Sequence, residues 1–263
     1  MTAVTDREAI HVESFGAGRP LMLLHGFALH GGLFAPLLPR LAQRHRVHVV
    51  DLPGHGHSDA PMPHSLDAIA DAIASAVSHE APADVLGWSF GGQIALAWAQ
   101  RRPDLVRRLV LVCTTPSFVQ RADWHCAMSA ETLRRFGDEL RVSYKLTLQR
   151  FLTLQVQGTE AGRATLAQLR ARLFERGAPS VATLNAMLSL LVETDLRDRV
   201  PAIATRSVVV SGARDTLAPA AAGAWLADAL PDARYCRIEG AAHAPFLSHE
   251  AEFDAAVKGF LDG

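Results

Sequence analysis

The segment Gly87-Trp88-Ser89-Phe90-Gly91-Gly92 carries the residue pattern with the clearest chemical meaning in this sequence. It follows a predicted strand at 84–86 and precedes a helix-compatible stretch at 93–100, so Ser89 falls at a tight strand-to-helix turn. Glycines suit such a turn, because side chains there would collide with neighbouring backbone. The pattern favours a serine hydroxyl held above a sheet edge as a nucleophile, and a glycine-rich turn without a catalytic role is the alternative.

A serine hydroxyl is a weak nucleophile near neutral pH, so it needs a base that is itself oriented by an acid. Asp215 and His243 each follow a predicted strand, in the loops 212–215 and 240–245. The carboxyl ends of parallel strands meet at one edge of a sheet, which is the edge expected to carry Ser89. Ser89, Asp215 and His243 are therefore the predicted catalytic residues.

Other residues stay open as alternatives for these roles. Asp195 and Asp198 compete for the role of the acid, although no predicted strand precedes them. The chain has 12 histidines, so the presence of one in a loop is weak evidence of a base. His25 follows a predicted strand and is interpreted as a side chain that stabilises its loop.

Acyl transfer also needs hydrogen-bond donors for the oxyanion that forms on the substrate. The backbone amide of Phe90, directly after Ser89, is the first expected donor. The amide of Phe27, in the loop that begins at His25 after a predicted strand, is the second. Phe27 could also pack at the mouth of a pocket, and the two roles are compatible.

Patterns typical of cofactor or metal sites are incomplete in this sequence. Gly16-Ala17-Gly18 lacks the third glycine of a dinucleotide-binding turn, and no phosphate-binding Gly-Lys-Ser/Thr loop is present. His55 and His57 share one turn with only Asp51 and Asp59 as nearby carboxylates, which favours a structural loop over a metal site. No cofactor and no metal are therefore expected.

The segments that must position these residues alternate between short apolar runs and longer stretches of helical period. The predicted strands are 21–24, 47–50, 85–87, 109–113, 208–211 and 235–238. The predicted helices between them are 33–43, 66–78, 91–101, 220–230 and 250–261. This alternation predicts an α/β fold with a mostly parallel central sheet flanked by helices.

One interval breaks the alternation, because about 95 positions separate Cys113 from Val208, whereas a helical crossover needs only about 30 residues. Helical spacing recurs along it, for example at Leu133, Phe136, Leu140 and Tyr144. The interval 117–200 is therefore predicted to be an all-helical cap, inserted between two parts of a core at 1–116 and 201–263.

The composition excludes several classes of protein. The chain has 263 residues with 26 basic and 27 acidic side chains, and a net charge of −1 is unlike a protein that coats nucleic acid. No uncharged apolar run approaches the about 20 residues that span a bilayer, and residues 1–10 lack the apolar centre of a signal peptide. Three scattered cysteines predict reduced thiols. The expectation is a cytoplasmic monomer without nucleic-acid or membrane partners.

In these motifs the chain resembles the α/β-hydrolase superfamily over nearly its whole length. The matching landmarks are His25-Gly26, the segment 51–58, the turn 87–91, Asp215 and His243. The resemblance implies the α/β-hydrolase fold and a serine hydrolase. A broad carboxylesterase, a lactonase or a C–C bond hydrolase with the same triad remains an alternative, and a ligand-binding protein on a hydrolase fold is the non-enzymatic one.

The resemblance is closer still to the pimeloyl-[acyl-carrier protein] methyl ester esterases, the carboxylesterases of biotin synthesis. It rests on the segments 87–89, 91–92, 150–155, 158–160, 195–197, 241–246 and 248–249. It implies hydrolysis of a methyl ester on a pimeloyl chain carried by acyl carrier protein. The implied substrate contacts are Phe27, Ser89, Phe90, Phe151, Leu152, Thr153, Leu154 and Gln155. Tryptophan and leucine are typical of the family where Phe27 and Phe90 stand, so the pocket shape is expected to differ slightly.

Basic residues of the cap form the surface expected to receive the carrier protein. Nine basic and five acidic residues between 131 and 176 give +4, which leaves −5 on the rest of the chain. Arg150 and Arg163 match basic positions of the family, whereas Leu146 and Ala167 stand where arginines are expected. Such a patch would steer an acidic carrier protein toward the site. A solvated helical face is the alternative.

Overall fold

The computed structural model describes residues 9–156 and 162–263. Within these ranges the strands are β1 Val12–Phe15, β2 Arg19–Leu24, β3 His45–Val50, β4 Ala83–Trp88, β5 Val106–Val112, β6 Ser207–Gly212 and β7 Ala233–Ile238. The α-helices of the same ranges are α1 Leu38–Leu41, α2 Leu66–Ala76, α3 Phe90–Arg101, α4 Ala130–Leu154, α5 Gly162–Arg172, α6 Val181–Glu193, α7 Ala220–Ala229, α8 Pro245–Ser248 and α9 Glu250–Asp262. The segment 158–160, which contributes to the family resemblance, lies outside the described residues.

The strands form one sheet in the order β1-β3-β2-β4-β5-β6-β7. Every neighbouring pair is parallel except β1 with β3, which is antiparallel. The six predicted strands correspond to β2 through β7, so the mostly parallel sheet is confirmed. The sequence pattern does not predict β1, because its four residues mix polar and apolar types and lie partly exposed at the sheet edge.

Four of the five predicted core helices are present, as α2, α3, α7 and α9. The prediction of one helix over 33–43 is wrong, because the chain forms a 3-10 turn at Gly31–Phe34 and then the single-turn helix α1. Pro36 and Pro39 explain the break. Proline donates no backbone hydrogen bond, and its ring clashes with the preceding helical turn.

The long interval without a predicted strand lies between β5 and β6, which are neighbours in the sheet. The chain leaves the sheet at the carboxyl end of β5, and the described part from Ala130 to Glu193 contains the helices α4, α5 and α6. Residues 117–129 form a loop with two isolated bridges instead of a helix. The helical part of the cap thus begins later than expected, and the division into core and cap stays a prediction.

The central strands form the frame that positions the loops at their carboxyl ends. Every residue of β4 and β6 is buried, as expected for parallel strands covered on both faces. In the described part of the chain, no helix has the length and hydropathy needed to cross a membrane.

Candidate active site

Ser89 joins β4 to α3 at a turn with a strained backbone. Its φ of 57° and ψ of −121° form a conformation that residues other than glycine rarely adopt. A Cβ on Gly87 would lie 2.4 Å from the carbonyl oxygen of Gly91, and a Cβ on Gly91 would lie 2.3 Å from that of Leu24. The turn therefore requires both glycines, and it holds the serine at the carboxyl end of β4.

The fold brings Ser89, His243 and Asp215 into one hydrogen-bonded chain. His243 Nε2 lies 2.8 Å from Ser89 Oγ, and its Nδ1 lies 2.7 Å from Asp215 Oδ2. Asp215 Oδ1 accepts hydrogen bonds from the backbone amides of Leu217 and Ala218, each at 2.9 Å. Because these amides occupy Oδ1, Oδ2 is left to accept the Nδ1–H of the imidazole.

Backbone contacts fix the loop that carries His243. Its carbonyl oxygen accepts a hydrogen bond from the indole Nε1 of Trp88 at 2.7 Å. Its amide donates to the carbonyl oxygen of Gln155 at 3.0 Å. Gln155 directly follows α4, so the cap is bonded to the loop that carries the imidazole.

Cys113 belongs to no motif in the sequence, yet it lies against the triad. It follows β5 with a φ of 46°, and its thiol donates to the carbonyl oxygen of Ala242 at 3.6 Å. Burial, together with the nearby Asp215 carboxylate, raises the pKa of this thiol well above its usual value. Cys113 is therefore a neutral thiol that packs beside the acid.

The two alternative acids have other partners or face solvent. Asp195 forms ion pairs with Arg197 at 2.8 Å and with Arg121 at 3.1 Å. Burial opposes ionisation of Asp195, but the hydrogen bonds from Arg197 outweigh it and lower the pKa of the carboxyl. Asp198 is exposed. The structure thus places Asp215, and not these residues, against the imidazole of His243.

His25 stabilises the loop after β2 as a neutral side chain. Its Nδ1 donates to the carbonyl oxygen of Gly26 at 2.9 Å, and its Nε2 accepts from the amide of Leu52 at 3.0 Å. Burial and the neighbouring His55 lower its pKa to about 3, so the ring stays uncharged at neutral pH. These bonds tie the loop after β2 to the loop after β3.

Phe90 directly follows Ser89, and Phe27 belongs to the loop that packs against the Ser89 turn. Phe90 is the first residue of α3, so its N–H has no partner inside the helix. β2 pairs with β4, and a Cβ on Gly26 would lie 3.1 Å from the Cβ of Ser89, which places the loop after β2 against the turn. Among the described residues, neither amide has a backbone acceptor. Both are available to a substrate oxygen.

An apolar cavity that opens to solvent lies at Ser89. Four predicted substrate contacts line it, namely Phe27, Ser89, Phe151 and Leu154. The other lining residues are Phe118, Met128, Thr132, Leu133, Phe136, Leu188, Leu191 and Leu217. Apolar walls around one reactive hydroxyl suit an acyl chain that carries an ester.

Four of the predicted substrate contacts do not line this cavity. Phe90, Leu152 and Gln155 have buried side chains, whereas Thr153 is exposed. Consecutive residues of a helix point in different directions, so the segment 151–155 cannot present every side chain to one chain of substrate. The lining residues from α6 and from the first half of α4 are not among the predicted substrate contacts. Their helical spacing indicates a helix but not that these side chains line a cavity.

Helix α4 is bent at Ser143, whose φ is −152° and ψ is 70°. In a straight helix Phe136 and Phe151 would be about 22 Å apart along the axis, yet their ring centroids are 5.4 Å apart. Both rings also contact the ring of Phe27, at 5.7 and 6.0 Å. The bend therefore brings both halves of α4 over the loop after β2, and it explains why Phe136 reaches the cavity.

Arg150 and Arg163 both lie on the exposed surface of the cap. Arg176, which the charge count assigns to the same surface, instead contacts Asp51 at 3.1 Å and also pairs with Glu13. It connects the cap to the core. The basic surface of the cap is therefore smaller than the count of charges suggests.

Comparison of the sequence with known proteins identifies related families and relatives. A profile of the alpha/beta hydrolase fold matches residues 19–250. Proteins from Chromobacterium violaceum and Xanthomonas axonopodis pv. citri, both named pimeloyl-[acyl-carrier protein] methyl ester esterase, are 43% and 44% identical over 253 residues, which are 96% of this chain and 98% of each relative.

Solved structures show the same fold. An esterase from Exiguobacterium antarcticum has a TM-score of 0.89 at 23% identity, covering 97% of this chain and 96% of that one. An enol-lactonase from Burkholderia xenovorans has a TM-score of 0.82 at 23% identity, with the same coverage. At this identity the likeness concerns the fold alone.

Proposed function

Because this chain belongs to the pimeloyl-[acyl-carrier protein] methyl ester esterase family of α/β hydrolases, we propose that it hydrolyses that methyl ester with Ser89 as the nucleophile. The observation that carries the proposal is the hydrogen-bonded chain from Ser89 through His243 to Asp215 at the end of an apolar cavity. The products are methanol and the free pimeloyl carboxylate, which biotin synthesis requires.

The first half of the reaction forms an acyl-enzyme. His243 Nε2 takes the proton of Ser89 Oγ, while Asp215 stabilises the imidazolium through Nδ1–H. The freed oxygen attacks the ester carbonyl carbon, and the amides of Phe27 and Phe90 donate to the oxyanion. His243 then gives its proton to the methoxy oxygen, the C–O bond breaks and methanol leaves.

The second half returns the enzyme to its starting state. A water molecule loses a proton to His243, and its oxygen attacks the acyl carbon on Ser89. The second tetrahedral adduct collapses when His243 returns the proton to Ser89 Oγ. One ester and one water thus give one carboxylic acid and one methanol, with protein groups and water as the only participants.

The cavity accounts for the acyl chain of the substrate. With the ester carbonyl at Ser89, the chain lies along Phe27, Phe151 and Leu154. The carrier protein then stays outside, at the exposed side of the cap where Arg150 and Arg163 lie. Acyl carrier protein is the proposed partner at this surface, because an acidic protein complements the excess of basic residues on the cap.

Mass spectrometry of the carrier protein tests the proposal directly. Methyl pimeloyl-[acyl-carrier protein] incubated with the enzyme should lose about 14 mass units, the mass of one methylene, as the methyl ester becomes an acid. A Ser89→Ala variant should leave the mass unchanged. An unchanged mass with the wild-type chain, under conditions where a short p-nitrophenyl ester is cleaved, would favour a broad esterase instead.

Charge reversal on the cap tests the carrier surface. The double variant Arg150→Glu and Arg163→Glu should slow hydrolysis of the carrier-bound ester by about tenfold or more, because electrostatic steering of the acidic partner is lost. Hydrolysis of free methyl pimelate should stay near the wild-type value. The measurement is kcat/KM for both substrates at low and at physiological ionic strength.

The matched control for this variant is Arg234→Glu, a reversal at an exposed arginine of β7 outside the cap. It should leave both substrates unaffected. Equal slowing of carrier-bound and free ester by the cap variant would show that the basic surface does not bind the carrier.

Filling the cavity should shorten the acyl chains that the enzyme accepts. Leu191→Phe adds bulk to a side chain of α6 that lines the cavity, so kcat/KM for p-nitrophenyl octanoate should fall by about tenfold or more. The acetate ester should be cleaved as before. Val192→Phe, at a partly exposed neighbour outside the cavity lining, is the control. A uniform loss across the ester series would contradict this placement of the chain.

A further inference from the structure

Two histidines and a glutamate lie close together at the protein surface, away from Ser89, His243 and Asp215. His11 directly precedes β1, Glu13 lies in it two positions later, and His57 comes from the loop after β3. Residues two apart on an extended strand face the same side, so His11 and Glu13 point together. One ligand atom from each of the three side chains lies within 4.8 Å of the others.

The spacing of these atoms matches a metal-binding site. Tetrahedral zinc takes histidine nitrogen and carboxylate oxygen at about 2.0–2.2 Å, which separates neighbouring ligand atoms by about 3.4 Å. His11 Nε2 already lies 3.5 Å from Glu13 Oε1. The rings of His11 and His57 meet edge to face with centroids 5.0 Å apart. A small rotation of the exposed His57 ring would complete the set.

Apart from the Glu13 carboxylate at 3.5 Å, the ring nitrogen Nε2 of His11 has no polar contact within the described part of the chain. This nitrogen is a buried atom without a hydrogen-bond partner among the described residues. A buried nitrogen without a hydrogen bond costs free energy, since it has lost water and gained only a carboxylate beyond hydrogen-bonding geometry. A bound cation that takes the lone pair of Nε2 would remove that cost.

A second shell of contacts orients the carboxylate. Arg176 pairs with Glu13 Oε2, which leaves Oε1 to face His11. Arg176 also donates to Asp51 Oδ2 at 3.1 Å, so the charge of the guanidinium is shared with a second carboxylate. The local sum of these charges stays negative and favours a cation. Contacts of this kind orient metal ligands and tune affinity.

The backbones that carry the ligands are also fixed. The amide of His11 donates to Ser58 Oγ at 2.8 Å, and its carbonyl oxygen accepts from the amide of Asp51 at 3.0 Å. The amide of His57 donates to Asp51 Oδ2 at 2.9 Å. The site is thus built on a strand edge and a pinned turn, which is the preorganisation that a metal site needs.

We propose that His11, Glu13 and His57 bind a divalent transition metal of the zinc class, with water as the remaining ligand. Two imidazoles and one carboxylate suit zinc better than calcium or magnesium, which prefer oxygen ligands. The sequence suggests only His55 as a neighbour for His57, but the fold buries His55 against Pro53 and brings His57 to His11. The metal would join β1 to the loop after β3, outside the active site.

A second group of ligand types, Cys113 with Asp215 and His243, competes for the same metal. There the imidazole and the carboxylate already share a hydrogen bond of 2.7 Å. A metal would have to replace that proton and would stop catalysis. The experiment therefore has to separate these two places.

Calorimetric titration of the untagged, chelator-treated full chain with Zn²⁺ tests the proposed metal site. The wild-type chain should bind one equivalent, and His57→Ala should weaken binding by more than about tenfold. Zn²⁺ should also raise the Tm of the wild-type chain but not that of His57→Ala, because a ligand of the native state stabilises it. The exposed His57 side chain makes loss of folding unexpected, and Tm without metal checks this.

Three controls decide the outcome. His64→Ala, at an exposed histidine elsewhere on the chain, and Cys113→Ala should bind Zn²⁺ as the wild type does. His11→Ala should lose affinity as His57→Ala does. The proposal is overturned by unchanged binding in His57→Ala, by loss of binding in Cys113→Ala alone, or by the absence of binding to the wild-type chain.

Discussion

Ser89→Ala is expected to lower kcat for ester hydrolysis by about a millionfold, the scale of loss when a serine triad is deprived of its nucleophile. The substitution removes the oxygen that lies 2.8 Å from His243 Nε2 and leaves the rest of the turn in place. The Ser89 side chain makes no other hydrogen bond among the described residues, so the free energy of unfolding should change by only about 1 kcal/mol. Steady-state kinetics with a p-nitrophenyl ester, together with thermal unfolding, make the measurement.

A covalent label provides the independent check on Ser89. A fluorophosphonate should modify the wild-type chain at this serine in a one-to-one ratio, and Ser89→Ala should stay unlabelled. Ser248→Ala, whose hydroxyl donates to the carbonyl oxygen of Ala244, should be labelled as the wild type is. A wild-type chain that resists the label would support the ligand-binding alternative. Turnover by Ser89→Ala above about one percent of wild type would remove the serine from this role.

The sheet could be predicted from sequence because its signals are local. Each strand from β2 to β6 contains a short apolar run that is followed by a turn or loop, and burial on both faces makes such runs nearly continuous. The edge strand β7 is mostly unburied, and its apolar residues are interrupted by arginines. β1 could not be predicted, since a four-residue edge strand buries too little to require an apolar pattern. The broken segment at 33–43 shows the same limit, because apolar spacing alone indicates a helix that Pro36 and Pro39 prevent.

The hydrogen-bonded arrangement of Ser89, His243 and Asp215 could be predicted from sequence for a different reason. Positions 87 and 91 must be glycine, because a Cβ atom at either one would lie within 2.4 Å of a backbone oxygen. The turn can therefore be recognised in the sequence by its glycines. Asp215 and His243 follow strands, and topology alone brings such loops to one edge. Asp215 could be preferred over Asp195 from the sequence, because a predicted strand precedes only Asp215, and in the structure it is Asp215 that contacts His243.

The walls of the cavity could not be predicted, because they depend on the bend of α4. A single serine such as Ser143 does not predict a bend in a helix. The spacing of Phe136 and Phe151 does not indicate that their rings are in contact. The same holds for His11 and His57, which are 46 positions apart and meet only because β1 runs antiparallel to β3. Contacts between residues that are distant in the chain depend on the topology of the fold, so they cannot be predicted from a local sequence pattern.

Asp215→Asn is expected to lower kcat by about four orders of magnitude at neutral pH, and the hydrogen bonds around the carboxylate explain why. The amides of Leu217 and Ala218 both donate to Oδ1, so the side-chain oxygen of the asparagine must stay at that position. The NH₂ group then takes the place of Oδ2 and faces His243 Nδ1. A donor facing Nδ1 requires the neutral ring to carry its proton on Nε2, where it cannot accept the proton of Ser89.

Asp215→Asn should keep the structure of its loop and the binding of substrate. The asparagine preserves the shape of the loop and the bonds to Leu217 and Ala218, so the Tm and the KM should stay close to the wild-type values while kcat falls. Asp195→Asn and Asp198→Asn are the matched controls, and each should retain kcat within about threefold, since neither carboxylate contacts His243. An Asp215→Asn enzyme of near wild-type activity, with either control inactive, would transfer the role of the acid to that control. A loss of kcat confined to Asp215→Asn, with the fold intact, would mean that this carboxylate acts on the reaction by fixing the tautomer of the base.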